Sequence, residues 1–310
     1  MTLTMLDTPL LHTLAAVVRE GSFERAARAL HLTPSAVSQR IRQAEERVGT
    51  VLVVRGQPCT ATEAGAQLCR HAQTVALLES ELRRNLPGLA PEPASRGRST
   101  LRVAINADSL GTWFVEALAA FAQEDDALVD VLIDDQDHTG TWLKRGHVLA
   151  AVTSTATPVQ GCKSCKLGAL RYCATASPAF VARWFPQGLN ADALAQAPSL
   201  VFDHKDRLQE EWVRRVMGRV MGRDKRREVD LPAHRLPSPQ AFVAAALGGV
   251  GWGMNPEPLV RSHLAAGRLV ELLPGRPLDV PLHWQVAQLP MTQLQSLTRQ
   301  VLRVSALWLR

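Results

Sequence analysis

Apolar positions in the first 65 residues recur at helical spacing, in short blocks of different phase. Leu10, Leu11, Leu14, Val17 and Val18 mark one helix. Phe23, Ala26, Ala27 and Leu30 fall at i, i+3, i+4 and i+7 of a second, with Ser22 placed to cap it. After a short turn a third helix starts with Thr33 as N-cap and Pro34 at N1, where a missing N–H costs nothing. On it Val37, Ile41, Ala44 and Val48 are expected to face inward, which leaves Ser35, Ser38, Gln39 and Arg42 on the outer stripe. An amphipathic helix alone implies only a solvated face. Two closely coupled helices are different when the second presents small, hydrogen-bonding residues near its start. They predict a winged helix-turn-helix, whose recognition helix enters a DNA major groove about 12 Å wide and reaches base edges.

From Glu63 to about Leu86 the pattern predicts one long helix, capped by Thr62 and ended by Pro87-Gly88. Leu68, Val75 and Leu82 repeat every seven residues, with Leu78 and Leu86 adding to the stripe and His71 and Asn85 interrupting it. Such a seam suits pairing with a second copy, the rival being packing on its own domain. Pro87 to Ser99 reads as a hinge. Beyond Thr100 strands and helices alternate. Strands are expected at 101–106, 129–133, 148–152, 168–175, 199–202, 251–255, 269–273 and 282–288. Helices are expected at 110–123, 139–145, 178–184 and 239–247, with a last one carrying Leu294, Leu297, Val301, Val304 and Leu307. The alternation favours a mostly parallel α/β arrangement, two sheets joined by crossovers around a cleft.

A chain of 310 residues exceeds one typical domain, so two or three units are expected. A net charge of +6 agrees with a nucleic-acid partner, although the arginine excess within residues 1–65 is slight, so affinity there depends on placement. The sequence has neither a long apolar run nor a basic-then-apolar leader, which predicts a cytoplasmic protein without a membrane partner. Five cysteines, Cys59, Cys69, Cys162, Cys165 and Cys173, read as free thiols. Cys162-Lys163-Ser164-Cys165 is a CxxC, but no second pair follows at zinc-site spacing, so no metal is expected. Nucleophile-elbow, Walker, GxGxxG and HExxH motifs are lacking, and Gly248-Gly249-Val250-Gly251 reads as a helix-to-strand turn. Neither an enzyme nor a cofactor is expected.

In open α/β sheets, ligands lie at the carboxyl ends of strands, often with an anionic group at a helix N-terminus. Asn106-Ala107-Asp108-Ser109 occupies such a junction. Ser109 and the backbone amides after it suit a carboxylate, and Asp108 suits an ammonium, a pairing that fits a zwitterionic amino acid. Phe202-Asp203-His204 ends a strand of the other lobe. Each residue has a simpler role available: Asp108 and Ser109 as helix caps, Asp203 as cap of a helix near Leu208.

The run GSFERAARALHLTPSAVSQRIRQAEERVGTVLVVR followed by TEAG strongly resembles the LysR-type transcriptional regulators. The resemblance implies an α/β protein in three parts: a winged helix-turn-helix at 1–65, a dimerisation linker helix and hinge at 66–99, and a two-lobed effector domain at 100–310 similar to a periplasmic solute-binding protein. Lobe 1 covers about 100–162 and 266–310, and lobe 2 about 163–265, with the chain crossing near 160 and returning near 266. It also makes Leu52 to Arg55 a wing strand, with Arg55 a phosphate or minor-groove contact. INADSLGTW at 105–113, LGALRYCATASPAFVARWFPQG at 167–188 and VFDHKD at 201–206 narrow the resemblance to the ArgP/LysG branch, which responds to lysine and arginine and controls export of basic amino acids. That branch's pocket falls on Asn106, Asp108, Ser109, Gln136, Phe202, Asp203, His204 and Ser238. The DNA contacts fall on Ser22, Thr33, Pro34, Ser35, Ser38, Gln39, Arg42 and Arg55. Two features depart from the branch: the basic run from Arg214 to Arg227, and the strand Leu282-His283-Trp284-Gln285, which is less aromatic. The implied protein is a homodimer, assembling as a tetramer, that binds double-stranded DNA and a small basic amino acid and acts on RNA polymerase. The alternative is an origin- or nucleoid-binding protein that inhibits replication initiation, a role also attached to this branch.

Overall fold

The computed structural model describes residues 7–86, 98–134, 139–220 and 230–310, which form two compact units, one of residues up to Ser99 together with Arg145–His147 and Pro290–Thr292, and one of the rest of the chain from Thr100. The first holds α1 (Thr8–Glu20), α2 (Phe23–Ala29), α3 (Pro34–Val48), the antiparallel wing β1 (Val53–Val54) and β2 (Thr60–Ala61), and α4 (Glu63–Asn85). The three expected caps form: Ser22, Thr33 and Thr62 accept from the amides of Arg25, Ala36 and Gly65 at 3.4, 3.2 and 3.1 Å. Each stabilises its helix by about 1 kcal/mol. Leu14, Val17, Ala26, Val37, Ile41 and Leu52 lie at the centre of the core. Val48, expected inside, is 37% exposed, because α3 ends there, one turn beyond Ala44, the last buried position. On α4 the apolar stripe divides. Cys69 packs into this unit's core and Leu68 beside it, whereas Leu82 is 52% exposed. Residues 87–97, most of the expected hinge, lie outside the described residues.

The second unit opens with β3 (Thr100–Ile105), then α5 (Ala107–Ser109), a π-helical turn (Leu110–Phe114) and α6 (Val115–Glu124). The helix expected from Leu110 therefore starts earlier and widens at its first full turn, where the Thr112 hydroxyl donates to the Asp108 carbonyl at 2.6 Å. β4 (Leu128–Ile133), α7 (Thr139–Lys144), β5 (Ala150–Thr153) and the long β6 (Cys162–Ala176) follow. Next come α8 (Pro178–Trp184), α9 (Ala191–Leu194), β7 (Ser199–Val201), α10 (Leu208–Val220), β8 (Ala233–Arg235), α11 (Pro239–Leu247), β9 (Gly253–Pro256), α12 (Glu257–Ala265), β10 (Val270–Glu271), β11 (Leu278–Ala287) and α13 (Thr292–Trp308).

The expectation of a mostly parallel sheet holds only locally. β3 pairs in parallel with β4 and β5, and β7 with β8, but β11 runs antiparallel to β5 and β6, and β6 is antiparallel to β9 and β10. Crossover helices impose the parallel pairs. The two strands that pass between the lobes, β6 and β11, lie side by side and unite them in one mixed seven-stranded sheet of the described residues. The return strand, expected near 266, starts at Leu278. The β6/β11 register slips between Leu282 and His283, opposite Gly168 at φ +127°, where a β-carbon would lie 2.7 Å from Leu309 Cβ. Trp113, Phe114, Phe121 and Trp284 fill lobe 1 under α13, while Leu200, Phe242 and Val260, with the Trp212–Trp252 pair at 5.6 Å, fill lobe 2. Among the described residues no helix is long and apolar enough to cross a membrane.

Candidate nucleic-acid interface and effector cleft

In the first unit, α3 buries Val37, Ile41 and Ala44, so its opposite side carries Ser35, Gln39 and Arg42 exposed and Ser38 half-buried. Thr33 and Pro34, both exposed, begin this helix, and the Thr33 and Ser35 hydroxyls lie 2.9 Å apart. Ser22 caps α2 and its hydroxyl donates to Glu24 at 2.6 Å. Glu45, an acid on α3 itself, turns toward the wing, where it accepts from the amides of Leu52 and Val53 at 2.9 and 3.4 Å. Its charge is thereby engaged by backbone donors. Arg55 is exposed, with its guanidinium 5.3 Å above the centre of the Phe23 ring, a cation–π contact that fixes the base of the wing against α2.

In the second unit, the cleft residues follow the carboxyl ends of the two parallel strand pairs. Asn106, buried, follows β3, and Asp134 follows β4, its amide donating to the Ile105 carbonyl at 3.3 Å. The two positions are therefore neighbours on one sheet edge. Asp108 does not cap a helix: its carboxylate accepts from the Tyr172 hydroxyl at 2.7 Å. Ser109 is fully buried and its Oγ meets no hydrogen-bond partner among the described residues. On the facing lobe, Phe202 to Lys205 follow β7, and Ser238 follows β8 as the N-cap of α11, accepting from Ala241 at 3.3 Å. Asp203 Oδ1 accepts from the amides of Lys205 and Asp206 at 2.7 and 3.2 Å, which makes it a turn residue. The cap near Leu208 expected of Asp203 is supplied by Asp206, whose Oδ1 takes the Leu208 amide at 3.0 Å. Burial pushes the Asp206 carboxyl above the usual range against the pull of its amide donors. His204 is exposed, and Gln136 lies outside the described residues.

The lobes meet at two places on this edge. A β-carbon on Gly111 would stand 3.1 Å from Gln240 Nε2 and 3.7 Å from Pro239, so the π-helical turn faces the start of α11. Lys205 Nζ lies 3.7 Å from Asp134 Oδ1, while Trp142 Nε1 donates to Asp134 Oδ2 at 2.8 Å. The structure thus places Asp108, Ser109, Ser238 and the 202–205 loop at the facing strand ends of the two lobes and adds Asp134, Tyr172, Trp142 and Lys205, which sequence reasoning missed. Asp134 left a readable signal, since it follows its strand as Asn106 follows the neighbouring one. A cavity of about 190 Å³ elsewhere in this unit is lined by Arg171, Glu257, Arg261 and Arg310, which pair among themselves or with Asp279. That makes it an ion-paired surface apart from the cleft. The CxxC is no thiol pair: Cys162 and Cys165 lie opposite Ala287 and Trp284 in a regular stretch of ladder, on opposite faces of β6.

A winged helix with an open recognition face and a separate two-lobed cleft are the parts of a DNA-binding regulator. Residues 9–66 match the bacterial regulatory helix-turn-helix protein, lysR family, and residues 94–305 match the LysR substrate binding domain. The chain belongs to the LysR family of transcriptional regulators. It is 45% identical over 296 residues to the HTH-type transcriptional regulator LysG of Mycobacterium tuberculosis, covering 96% of this chain and 92% of that one. It is similar to the crystal structure of ArgP from Mycobacterium tuberculosis, with 44% identity, 99% of both chains covered and a TM-score of 0.81. It is also similar to full-length LysG from Corynebacterium glutamicum with bound effector Arg, with 36% identity, 98% of this chain and 100% of that one covered, and a TM-score of 0.72.

Proposed function

We propose that this regulator senses a basic amino acid, arginine or lysine, in the cleft between its lobes, and controls genes of basic amino acid export or metabolism. The observation that carries this reading is the placement of two carboxylates, Asp108 and Asp134, with the buried Ser109 hydroxyl at adjoining strand ends. A ligand with two cationic groups and one carboxylate matches that set, and the relative from Corynebacterium glutamicum is seen with arginine bound. In this reading Asn106, Asp108, Ser109, Gln136, Phe202, Asp203, His204 and Ser238 line the site, with Asp203 shaping its loop.

On the DNA side, Ser35, Ser38, Gln39 and Arg42 read base edges, while Ser22, Thr33, Pro34 and Arg55 position the backbone. The exposed Leu82 and Leu86 on the distal part of α4 pair with a second copy, two dimers form a tetramer on DNA, and the effector changes access of RNA polymerase in the cytoplasm. The alternative, a replication-initiation inhibitor that binds origin DNA, is disfavoured because a relative 45% identical over nearly the whole chain is a transcriptional regulator.

The test is calorimetric titration of the full chain with L-arginine, L-lysine and L-citrulline, repeated on Asp108→Ala, alongside DNA binding at fixed salt. The expected result is saturable binding of the two cationic amino acids, loss of response in the variant and unchanged DNA affinity without effector. Equal binding of citrulline, or a response in Asp108→Ala matching the parent protein, overturns the reading.

A further inference from the structure

The Asp134–Lys205 contact joins the lobes at the sheet edge that holds Asn106 and the start of α5, and it is built from the same chemistry as the proposed ligand. Lys205 carries a primary ammonium on a four-carbon stem, the side chain of lysine itself. Its Nζ stands 3.7 Å from Asp134 Oδ1, near the outer limit of an ion pair, with 35% of the Lys205 side chain and 23% of the Asp134 side chain exposed. Asp134 is otherwise placed firmly, since Trp142 holds the opposite oxygen, Oδ2, at 2.8 Å. Trp142 holds Oδ2, and the Lys205 ammonium, itself partly exposed to solvent, reaches Oδ1 at long range.

We infer that Lys205 is a tethered competitor for the effector: its ammonium occupies Asp134, the carboxylate that receives the side-chain cation of arginine or lysine, and the effector displaces it. This inference rests on the basic-amino-acid reading of the cleft and adds to it the residue that selects the side chain and the residue that sets the threshold. Asp134 favours a cationic side chain over a neutral one of similar length. Lys205 raises the concentration of effector needed for half-occupancy, because every binding event must first break an internal pair. Once displaced, Lys205 returns to water, and the tie between Phe202-Asp203-His204-Lys205 and lobe 1 passes to the effector. An exposed pair of this length is weak, so the competition amounts to about a two- to fivefold effect on apparent affinity.

The experiment is calorimetric titration of L-arginine and L-lysine into the full chain and into Lys205→Met, Lys205→Arg, Asp134→Asn and the Lys205→Met/Asp134→Asn double variant, each first shown to melt as the parent does. Lys205→Met is expected to bind arginine about two- to fivefold more tightly and Lys205→Arg as the parent does. Asp134→Asn is expected to bind at least tenfold more weakly, and in that background Lys205→Met changes nothing. Should Asp134→Asn fail to fold, the Met and Arg variants at 205 carry the decision alone, since they differ in the cation. Unchanged or weaker binding by Lys205→Met overturns the proposal, the weaker case making Lys205 a direct ligand contact. An equal gain with and without Asp134 overturns it too, because Lys205 then acts elsewhere. A parent protein that binds neither amino acid sinks the effector reading itself, an outcome distinct from any difference among variants.

Discussion

Replacing Gly65 with alanine tests whether the wing and α4 are held as closely as the structure shows. A β-carbon at Gly65 would lie 2.0 Å from the Leu52 carbonyl oxygen and 2.9 Å from its carbon, far inside the ordinary contact distance of about 3.5–4.0 Å. Both sides are backbone, so no rotamer change relieves the clash, and either α4 or the segment leading into β1 must move by about 1 Å or more. The Leu52 carbonyl accepts from the Thr62 amide at 3.0 Å, and the Thr62 hydroxyl donates to the Val51 carbonyl at 2.8 Å, so the same movement stretches both bonds. Overpacking costs about 1–3 kcal/mol and a lost backbone bond about 1 kcal/mol. The gain in helix propensity from Gly to Ala returns about 1 kcal/mol. The net expectation is a loss of about 1–3 kcal/mol. For a unit of this size that lowers Tm by roughly 5–20 °C. Because two units can unfold separately, hydrogen exchange should localise the loss to residues 51–66. Operator affinity should fall with it, since the wing leaves its place beside α2. Gly140→Ala is the control, because a β-carbon there meets nothing within 4 Å. Parental Tm and parental wing protection in Gly65→Ala would refute the close approach.

Four further outcomes are expected. His31, exposed at φ +54° in the turn between α2 and α3, holds a conformation that costs an ordinary residue about 1–2 kcal/mol, partly offset in a glycine variant by its greater unfolded-state entropy. His31→Gly should therefore raise the Tm of the winged helix by a few degrees, and a lower Tm would mean the imidazole makes a stabilising contact. Ser38→Leu, on the side of α3 away from the core, should weaken specific operator binding by about tenfold to a hundredfold in a gel-shift titration while leaving non-specific binding in place; equal loss on both DNAs would show misfolding. Burial holds the Cys69 and Cys173 thiols at about 11 and about 12, so a thiol-exchange reagent at pH 8 should spare both until denaturant is added. A Cys162–Cys165 disulfide under mild oxidation would contradict the strand placement, which sets their Cα atoms roughly 10 Å apart against a limit of about 7 Å.

Helix starts were legible because their causes are local. Ser22, Thr33, Thr62, Ser177 and Ser238 each accept the amide three residues on, which a serine or threonine before an apolar run announces by itself. Strand direction was not, since alternation of apolar residues is the same whichever way a neighbour runs. β6 also begins with Cys162-Lys163-Ser164-Cys165-Lys166, a polar stretch that disguises a strand paired residue by residue with β11. The Asp108–Tyr172 bond joins residues 64 apart and depends on where β6 falls, which no local pattern contains. In VFDHKD two aspartates compete for one cap, and only the course of the loop decides that Asp206 takes it while Asp203 closes the turn.

How a small amino acid can move two lobes follows from what ties them. The cross-lobe ion pair at Asp134 contributes at most about 1 kcal/mol, so that pair by itself does not lock the arrangement seen here. The strands beneath are harder to part, because β6 and β11 share a ladder from Leu278 to Ala287. That ladder is irregular at one place, between Leu282 and His283, opposite Gly168. Residues 283–286 also pair with β5 of lobe 1, whereas the strands of lobe 2, β9 and β10, join β6 beyond Tyr172. The break therefore stands at the boundary between the lobes, where a change of twist disturbs the fewest hydrogen bonds. A ligand that prefers one twist tenfold to a hundredfold supplies about 1.4–2.8 kcal/mol, more than the exposed ion pair opposes. Touching both lobes gives it that preference, whereas a ligand with equal affinity for the two arrangements shifts nothing however tightly it binds.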